Sequence, residues 1–280
     1  MKVAKFGGTS LANAGQILKV YEIAKADPDR RIIVVSAPGK RSKTDTKVTD
    51  LLIACAKAML KHGAAEKEAA AVINRFAEIQ KELDVPVALL GEIEKDLRER
   101  LAGDRSHPAL FTDSIKAAGE DYSARVVAAA FTKKGLEAHY VCPREAGMIL
   151  SDEPGNAQVL DESYPKLAAL RKRPGVTIFP GFFGYTKKGA VVTFPRGGSD
   201  ITGAILAAAV KADVYENFTD VDSVYAMDPS IVPEAPAIDL LTYREMRELS
   251  YAGFGVFHDE AIVPAVKANV PVCIKNTNRP

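Results

Sequence analysis

Val3-Ala4-Lys5-Phe6-Gly7-Gly8-Thr9-Ser10 is the stretch that decides the fold. A short strand-like run meets two adjacent glycines, and residues 11–25 then repeat apolar side chains at the three- and four-residue steps of a helix. Strand, tight turn and covering helix form the unit from which parallel sheets are built, because parallel neighbours need a long crossover. The same alternation continues outward. Strand candidates are Ile32 to Ser36, Ala138 to Cys142, Val176 to Phe179, Val191 to Phe194, Val214 to Phe218 and Val270 to Ile274. Helical spacing covers 48–62, 64–83, 92–102, 121–134, 162–172, 200–211 and 242–249, well illustrated by Ile201, Ala204, Ile205 and Ala208. The pattern predicts a three-layer α/β/α sandwich with a mainly parallel central sheet, and the strandless stretch from about Val48 to Ala102 predicts an inserted helical layer.

Composition bounds the function. The 280 residues are 47% apolar and 26% charged, enough for one large domain or two lobes. Lysine and arginine total 37 against 36 acidic residues, so nothing in the net charge of +1 calls for nucleic acid or a membrane surface as partner. Cys55, Cys142 and Cys273 are odd in number and far apart, which argues against a disulfide framework or a structural zinc and for a cytoplasmic location. There is no secretory leader pattern and no run of ~18 apolar residues. The end at Asn276-Thr277-Asn278-Arg279-Pro280, directly after an apolar strand, reads as a cut inside a longer polypeptide.

The Gly7-Gly8 turn carries two readings. Glycine lets backbone approach a phosphate, the amides of the following helix start point toward it, and Lys5 adds a point charge. A Gly-Gly pair is equally a plain tight turn. Neither a Walker A loop nor the dinucleotide fingerprint occurs. Phe194-Pro195-Arg196-Gly197-Gly198-Ser199-Asp200 repeats the strand–helix setting. Ser199 or Asp200 suits a helix cap, but capping does not explain an arginine before two glycines, whose guanidinium can grip a carboxylate or phosphate at two points. In Phe218-Thr219-Asp220-Val221-Asp222-Ser223-Val224-Tyr225 the acidic residues either form turns or hold a ribose or a hydrated Mg²⁺. Gly119-Glu120-Asp121 reads as an acidic cap on the 121–134 helix, Thr49 and Asp50 as the start of another, and Lys40, Arg41, Lys43 and Lys47 as a solvated loop. His62, His107, His139 and His258 have no metal-ligand spacing.

Lys5-Phe6-Gly7-Gly8-Thr9-Ser10, Val34-Val35-Ser36-Ala37, Gly119-Glu120, Arg196-Gly197-Gly198-Ser199-Asp200 and Thr219-Asp220-Val221, in that order, resemble the aspartokinase family of amino acid kinases. The resemblance implies ATP-dependent phosphorylation of the side-chain carboxylate of L-aspartate, with Mg²⁺, on a sheet of about eight mainly parallel strands. It makes 1–195 the amino-acid lobe and 196–280 the nucleotide lobe of one catalytic domain. Lys5 would stand at the transferring phosphate, with Gly7, Gly8, Thr9 and Ser10 along its path. Ser36 and Thr49 would help hold aspartate, Glu120 its ammonium and Arg196 its α-carboxylate. Ser199 and Asp200 would complete that pocket, and Asp200 would orient Lys5. Thr219, Asp220 and Tyr225 would contact adenosine and ribose. No residue is assigned as a protein ligand to a metal. The chain departs from the family between Ser36 and Thr49, where it is longer and more basic, and at Ser230 and Gly255, where an arginine and a lysine are common. Regulatory domains that mediate dimerisation usually follow and are not in this chain, so a homodimer is expected of the full-length protein. Glutamate, carbamate or a nucleotide monophosphate as acceptor, or a non-catalytic binding domain of the same fold, are the alternatives.

Overall fold

The computed structural model describes residues 1–220, 224–225, 237–251 and 259–280. In chain order the first half runs β1 (Lys2–Phe6), α1 (Ala14–Ala26), β2 (Arg30–Val35), α2 (Val48–His62), α3 (Glu66–Leu83), α4 (Val87–Leu101), α5 (Pro108–Lys133) and β3 (Ala138–Tyr140). There follow α6 (Pro143–Ala146), α7 (Ser163–Leu167), β4 (Val176–Pro180), β5 (Phe183–Tyr185), β6 (Val191–Thr193), α8 (Gly198–Val210) and β7 (Val214–Thr219). The chain closes with β8 (Val224–Tyr225), β9 (Ala237–Ile238), α9 (Tyr243–Tyr251), α10 (Val263–Lys267) and β10 (Val272–Asn276).

Six strands form one sheet in the order β10-β7-β1-β2-β4-β3, every neighbouring pair parallel. Both faces are covered, as all-parallel sheets require. Ala4, Phe6, Ile33, Val35, Ile178 and Phe218 face the layer of α1 to α5. Val3, Ile32, Val34, Phe179 and Tyr215 face α7, α8 and α10. The registers Phe6 with Val35 and Phe218, and Val35 with Pro180, bring four strand ends to one edge. Ligands of open α/β sheets sit at that carboxyl edge.

Two expectations are corrected here. The helix expected at 121–134 begins at Pro108, whose ring suits the first helical position. Gly119-Glu120-Asp121 therefore lies in the helix interior and caps nothing. Glycine is disfavoured there by roughly 0.5–1 kcal/mol relative to alanine, but a methyl group built on Gly119 would lie 2.8 Å from the Ala37 Cβ and 3.1 Å from Leu52 Cδ1, so its absence lets α5 press against the end of β2. Secondly, Val191–Thr193 is not a strand of the main sheet. It pairs antiparallel with β5, a strand that the sequence pattern did not announce. Among the described residues the main sheet thus has six strands, accompanied by the β5–β6 and β8–β9 pairs.

Candidate functional site

β1 delivers Lys5 to the carboxyl edge with its side chain on the α8 face. Lys5 is only 7% exposed, and its Nζ lies 2.7 Å from Asp200 Oδ1. A buried ammonium requires such a partner, since an unpaired charge out of water is strongly unfavourable. The two motifs, 195 positions apart in sequence, therefore meet at one point. The residue in the cap position of α8 is Gly197, at φ +80°, which no side chain favours. Ser199 and Asp200 sit inside the first turn instead of capping it. Ser199 is buried against Gly181, where an added methyl would come within 2.6 Å of the serine Oγ. The Asp200 carboxylate also accepts from Asn217 Nδ2 at 2.5 Å.

The turn after β1 is held from two sides. Gly7 N donates to Phe218 O at 3.2 Å, and Gly39 N donates to Gly8 O at 2.8 Å. A methyl on Gly39 would stand 2.6 Å from the Gly8 carbonyl carbon, so the two backbones touch and only glycine fits. The loop that brings Gly39 there is fastened to α3. The Arg75 guanidinium, 4% exposed, donates to Gly39 O and, at 2.8 Å, to Asp45 Oδ2. Arg41 donates to Asp45 and to Glu78. The Arg41 guanidinium, joined by Arg75, holds the Asp45 carboxyl well below the usual carboxylate range. The basic run 40–47 is therefore tied down at Arg41, and sequence reasoning missed Arg75. The signal was thin: an arginine on the buried stripe of an amphipathic helix.

On the opposite face, α5 carries Glu120 beneath the end of β2. It is 4% exposed; its carboxylate accepts the Ala37 N–H, and Oε2 has no partner. Burial pushes its pKa up to about 8, against the weaker pull of the Ala37 amide and of Lys116 and Lys47. Ser36, half-buried, hangs from Phe6 O through its own amide at 3.2 Å. Thr49 is half-buried in the first turn of α2, next to Val48, whose amide donates to Pro38 O at 3.0 Å. A methyl built on Gly119 would meet both Ala37 and Val48, so Ser36, Thr49 and Glu120 are carried on three adjoining segments. They adjoin the glycine turn directly, because a methyl on Gly8 would lie 3.0 Å from Ala37 O.

Beside this centre a small polar groove of about 180 Å³ has Thr9, Lys40, Arg41, Thr219, Asp220 and Asn278 among its lining residues. Thr9 is exposed, while Ser10 is buried with its hydroxyl 2.7 Å from that of Thr277. Asp220 accepts the Thr219 hydroxyl at 3.1 Å. Arg196 is exposed and has no ion pair or hydrogen bond among the described residues. Tyr225 belongs to β8, paired with Ala237 of β9. Ser230, Gly255 and His258 lie outside the described residues. Among the described residues no cluster of three His, Cys, Asp or Glu could hold a metal, and no helix is long and apolar enough to cross a membrane.

Comparison with known proteins bears on the fold and the family. The chain is 56% identical over 280 residues to Aspartokinase 3 of Bacillus subtilis, covering all of this chain and 62% of that protein. The aspartate kinase of Clostridium acetobutylicum superposes with a TM-score of 0.86 at 35% identity, over 100% of this chain and 61% of that one. Aspartokinase III of E. coli, solved in complex with aspartate and ADP, superposes with a TM-score of 0.84 at 30% identity, over 99% and 62% respectively. The chain thus spans about three-fifths of the length of these relatives. The model of the amino acid kinase family matches residues 1–276. Since that match takes in β1, the glycine turn, the start of α8 and the final strand alike, the chain belongs to the amino acid kinase family.

Proposed function

We propose that the chain is the catalytic domain of an aspartate kinase, transferring the γ-phosphoryl group of ATP to the side-chain carboxylate of L-aspartate. The observation that carries the reading is the Lys5–Asp200 pair at 2.7 Å on one side of the carboxyl edge, with the partnerless Glu120 Oε2 on the other. One end suits an anion and the other an ammonium group. The relatives named above, one of them solved with aspartate and ADP, support the choice of substrates.

The acceptor carboxylate has an unperturbed pKa of about 3.9 and is ionised at neutral pH, so no general base is needed. One carboxylate oxygen forms the new bond to phosphorus, the bond to the bridging oxygen breaks, and ADP leaves with that electron pair. Such a transfer asks for positioning and charge neutralisation. Lys5 offsets the repulsion of the two anions, Asp200 orients Lys5, and Gly7, Gly8 and Thr9 admit the phosphates. Glu120 takes the ammonium group of aspartate, Arg196 its α-carboxylate, and Ser36, Thr49 and Ser199 close the pocket. Thr219, Asp220 and Tyr225 serve the nucleoside, which makes 1–195 mainly the amino-acid lobe and 196–280 the nucleotide lobe. Mg²⁺ would arrive with ATP and supply further neutralisation. It usually keeps only one or two carboxylates, and Asp220 at the groove fits that modest demand. The three unbridged cysteines support a cytoplasmic setting, and the family resemblance supports a homodimer of the full-length protein.

The test is ADP release in the presence of aspartate, glutamate or carbamate. Glutamate differs by one methylene, worth only ~1–3 kcal/mol in a pocket, so aspartate is expected to lead by a modest factor in kcat/KM, and a preference for glutamate or carbamate would overturn the assignment. Arg196→Ala is expected to raise the KM for aspartate about 10–100-fold, the loss of a charge-assisted contact of ~1.5–3 kcal/mol. An unchanged KM would place the α-carboxylate elsewhere.

A further inference from the structure

Asn217 stands where an apolar side chain would be expected. It lies in β7, between β1 and β10, is 3% exposed, and is paired in register with Lys5. Asparagine is depleted in strands, and a buried amide is unfavourable unless it is hydrogen-bonded. Its partners form a closed ring. Nδ2 donates to Asp200 Oδ1 at 2.5 Å and reaches the Tyr215 hydroxyl at 3.5 Å; that hydroxyl donates to the main-chain oxygen of Asp200 at 3.1 Å. Tyr215 can enter the ring because Gly203 has no side chain, a methyl there falling 2.5 Å from the tyrosine oxygen. Side chain and main chain of Asp200 are thus both anchored to β7, and the oxygen held by Asn217 is the one that holds Lys5.

We infer that Asn217 is a positioning residue for phosphoryl transfer: by fixing Asp200 Oδ1 with a neutral donor, it keeps the Lys5 ammonium aimed at the carboxyl edge. The Lys5 ammonium is paired with that single Asp200 oxygen at 2.7 Å, so the setting of one carboxylate decides where the cation stands. Were Asp200 free to turn, it would follow the lysine or release it, and the ammonium would lose the orientation that a transition state rewards. The inference rests on the reading of Lys5 as the cation at the transferred group. Among the described residues, the charged and titratable groups joined to this ring are Lys5 on β1, Asp200 on α8 and Tyr215 on β7, the last held neutral by burial, with Asp200 nearby adding to the effect.

The test uses Asn217→Leu and Asn217→Asp beside the wild-type chain. Asn217→Leu is expected to lower kcat about 10–100-fold with both KM values within about twofold, the signature of an interaction that matters mainly in the transition state. In its crystal structure Lys5 Nζ and Asp200 Oδ1 should part beyond hydrogen-bond reach. Asn217→Asp sets two carboxyl groups face to face. Above neutral pH both are ionised and compete for Lys5, so kcat falls further. Toward pH 5 they share a proton, the new carboxyl donates to Asp200 as the amide did, and kcat recovers relative to wild type. A kcat within twofold of wild type for a folded Asn217→Leu, or an Asn217→Asp profile parallel to that of wild type, would overturn the inference. If Asn217→Leu does not fold, the Asn217→Asp profile decides alone. If wild-type protein phosphorylates no acceptor, the kinase reading fails, and the lysine–aspartate distance in the variant crystals still judges the positioning role: retained contact overturns it, separation upholds it.

Discussion

Lys5→Ala is expected to cut turnover by at least about 10²–10³-fold, the range seen when one preorganised donor to a developing anion is removed, while ATP affinity changes far less. The asymmetry follows from where the ammonium sits. Lys5 is almost fully buried, fixed by Asp200 and flanked by Gly7, where a methyl group would already lie 3.5 Å from Nζ. On the proposed reading, a ground-state nucleotide would be held by the glycine turn and the groove beside Thr219 and Asp220 without it. The repulsion between an aspartate carboxylate and the γ-phosphoryl group grows only as the two approach, so in the proposed role the lysine would act on the transition state and its loss would fall on kcat. Lys5→Arg should not rescue the activity. The guanidinium is broader and planar, and Gly7 and Asp200 stand close to the Lys5 ammonium. Steady-state kinetics with saturating aspartate and varied ATP measure the effect; near wild-type turnover in Lys5→Ala would remove the lysine from the transferred group.

Glu120→Gln is expected to separate binding from stability. With its pKa pushed from 4.5 up to about 8 by burial, the folded chain without substrate keeps a proton on Glu120 that the unfolded chain has lost. Where the native state binds more protons, stability falls as pH rises. The contribution of this group is thus fully present below about pH 4.5 and is lost on the way to about pH 8. Glu120→Gln should remove that slope and melt higher than wild type at pH 8.5. Binding runs the other way. On the proposed role of Glu120, an ammonium group in contact with Oε2 would favour the carboxylate, so aspartate would drive off the proton, and its KM should fall about tenfold per pH unit up to pH 8. Glu120→Gln should bind aspartate far more weakly, with a KM independent of pH over that range. Calorimetry in two buffers of different ionisation enthalpy reads the released proton. A wild-type KM flat from pH 6 to 8.5, with no proton release, would show that Glu120 does not face the ammonium group.

Much of this site was legible before any coordinates. The helix expected at 48–62 occurs as Val48–His62, the strand ending in Lys5-Phe6 is β1, and the Gly-Gly turn and the Arg196 motif do lie at one sheet edge. Period and turn chemistry are local properties, and they speak clearly where a segment is half in the core and half out. Glu120 was harder. Its helix is buried along most of residues 117–131, and Gly119, a residue that usually ends or interrupts a helix, looked like a boundary when it is a contact.

By itself the sequence determined the alternation of strands and helices, the parallel sheet that alternation demands, and the glycine turns at which anions can be approached, because each depends on neighbours within a few positions. Only the tertiary structure decided that Asp200 takes Lys5 and Asn217 on one oxygen, that Arg75 reaches 36 residues back to hold Gly39 over Gly8, and that one oxygen of Glu120 is left without a partner. Hydrogen bonds and desolvation act over a few ångströms of space whatever the distance along the chain, so partners separated by tens or hundreds of residues become visible when the sheet sets their strand ends side by side.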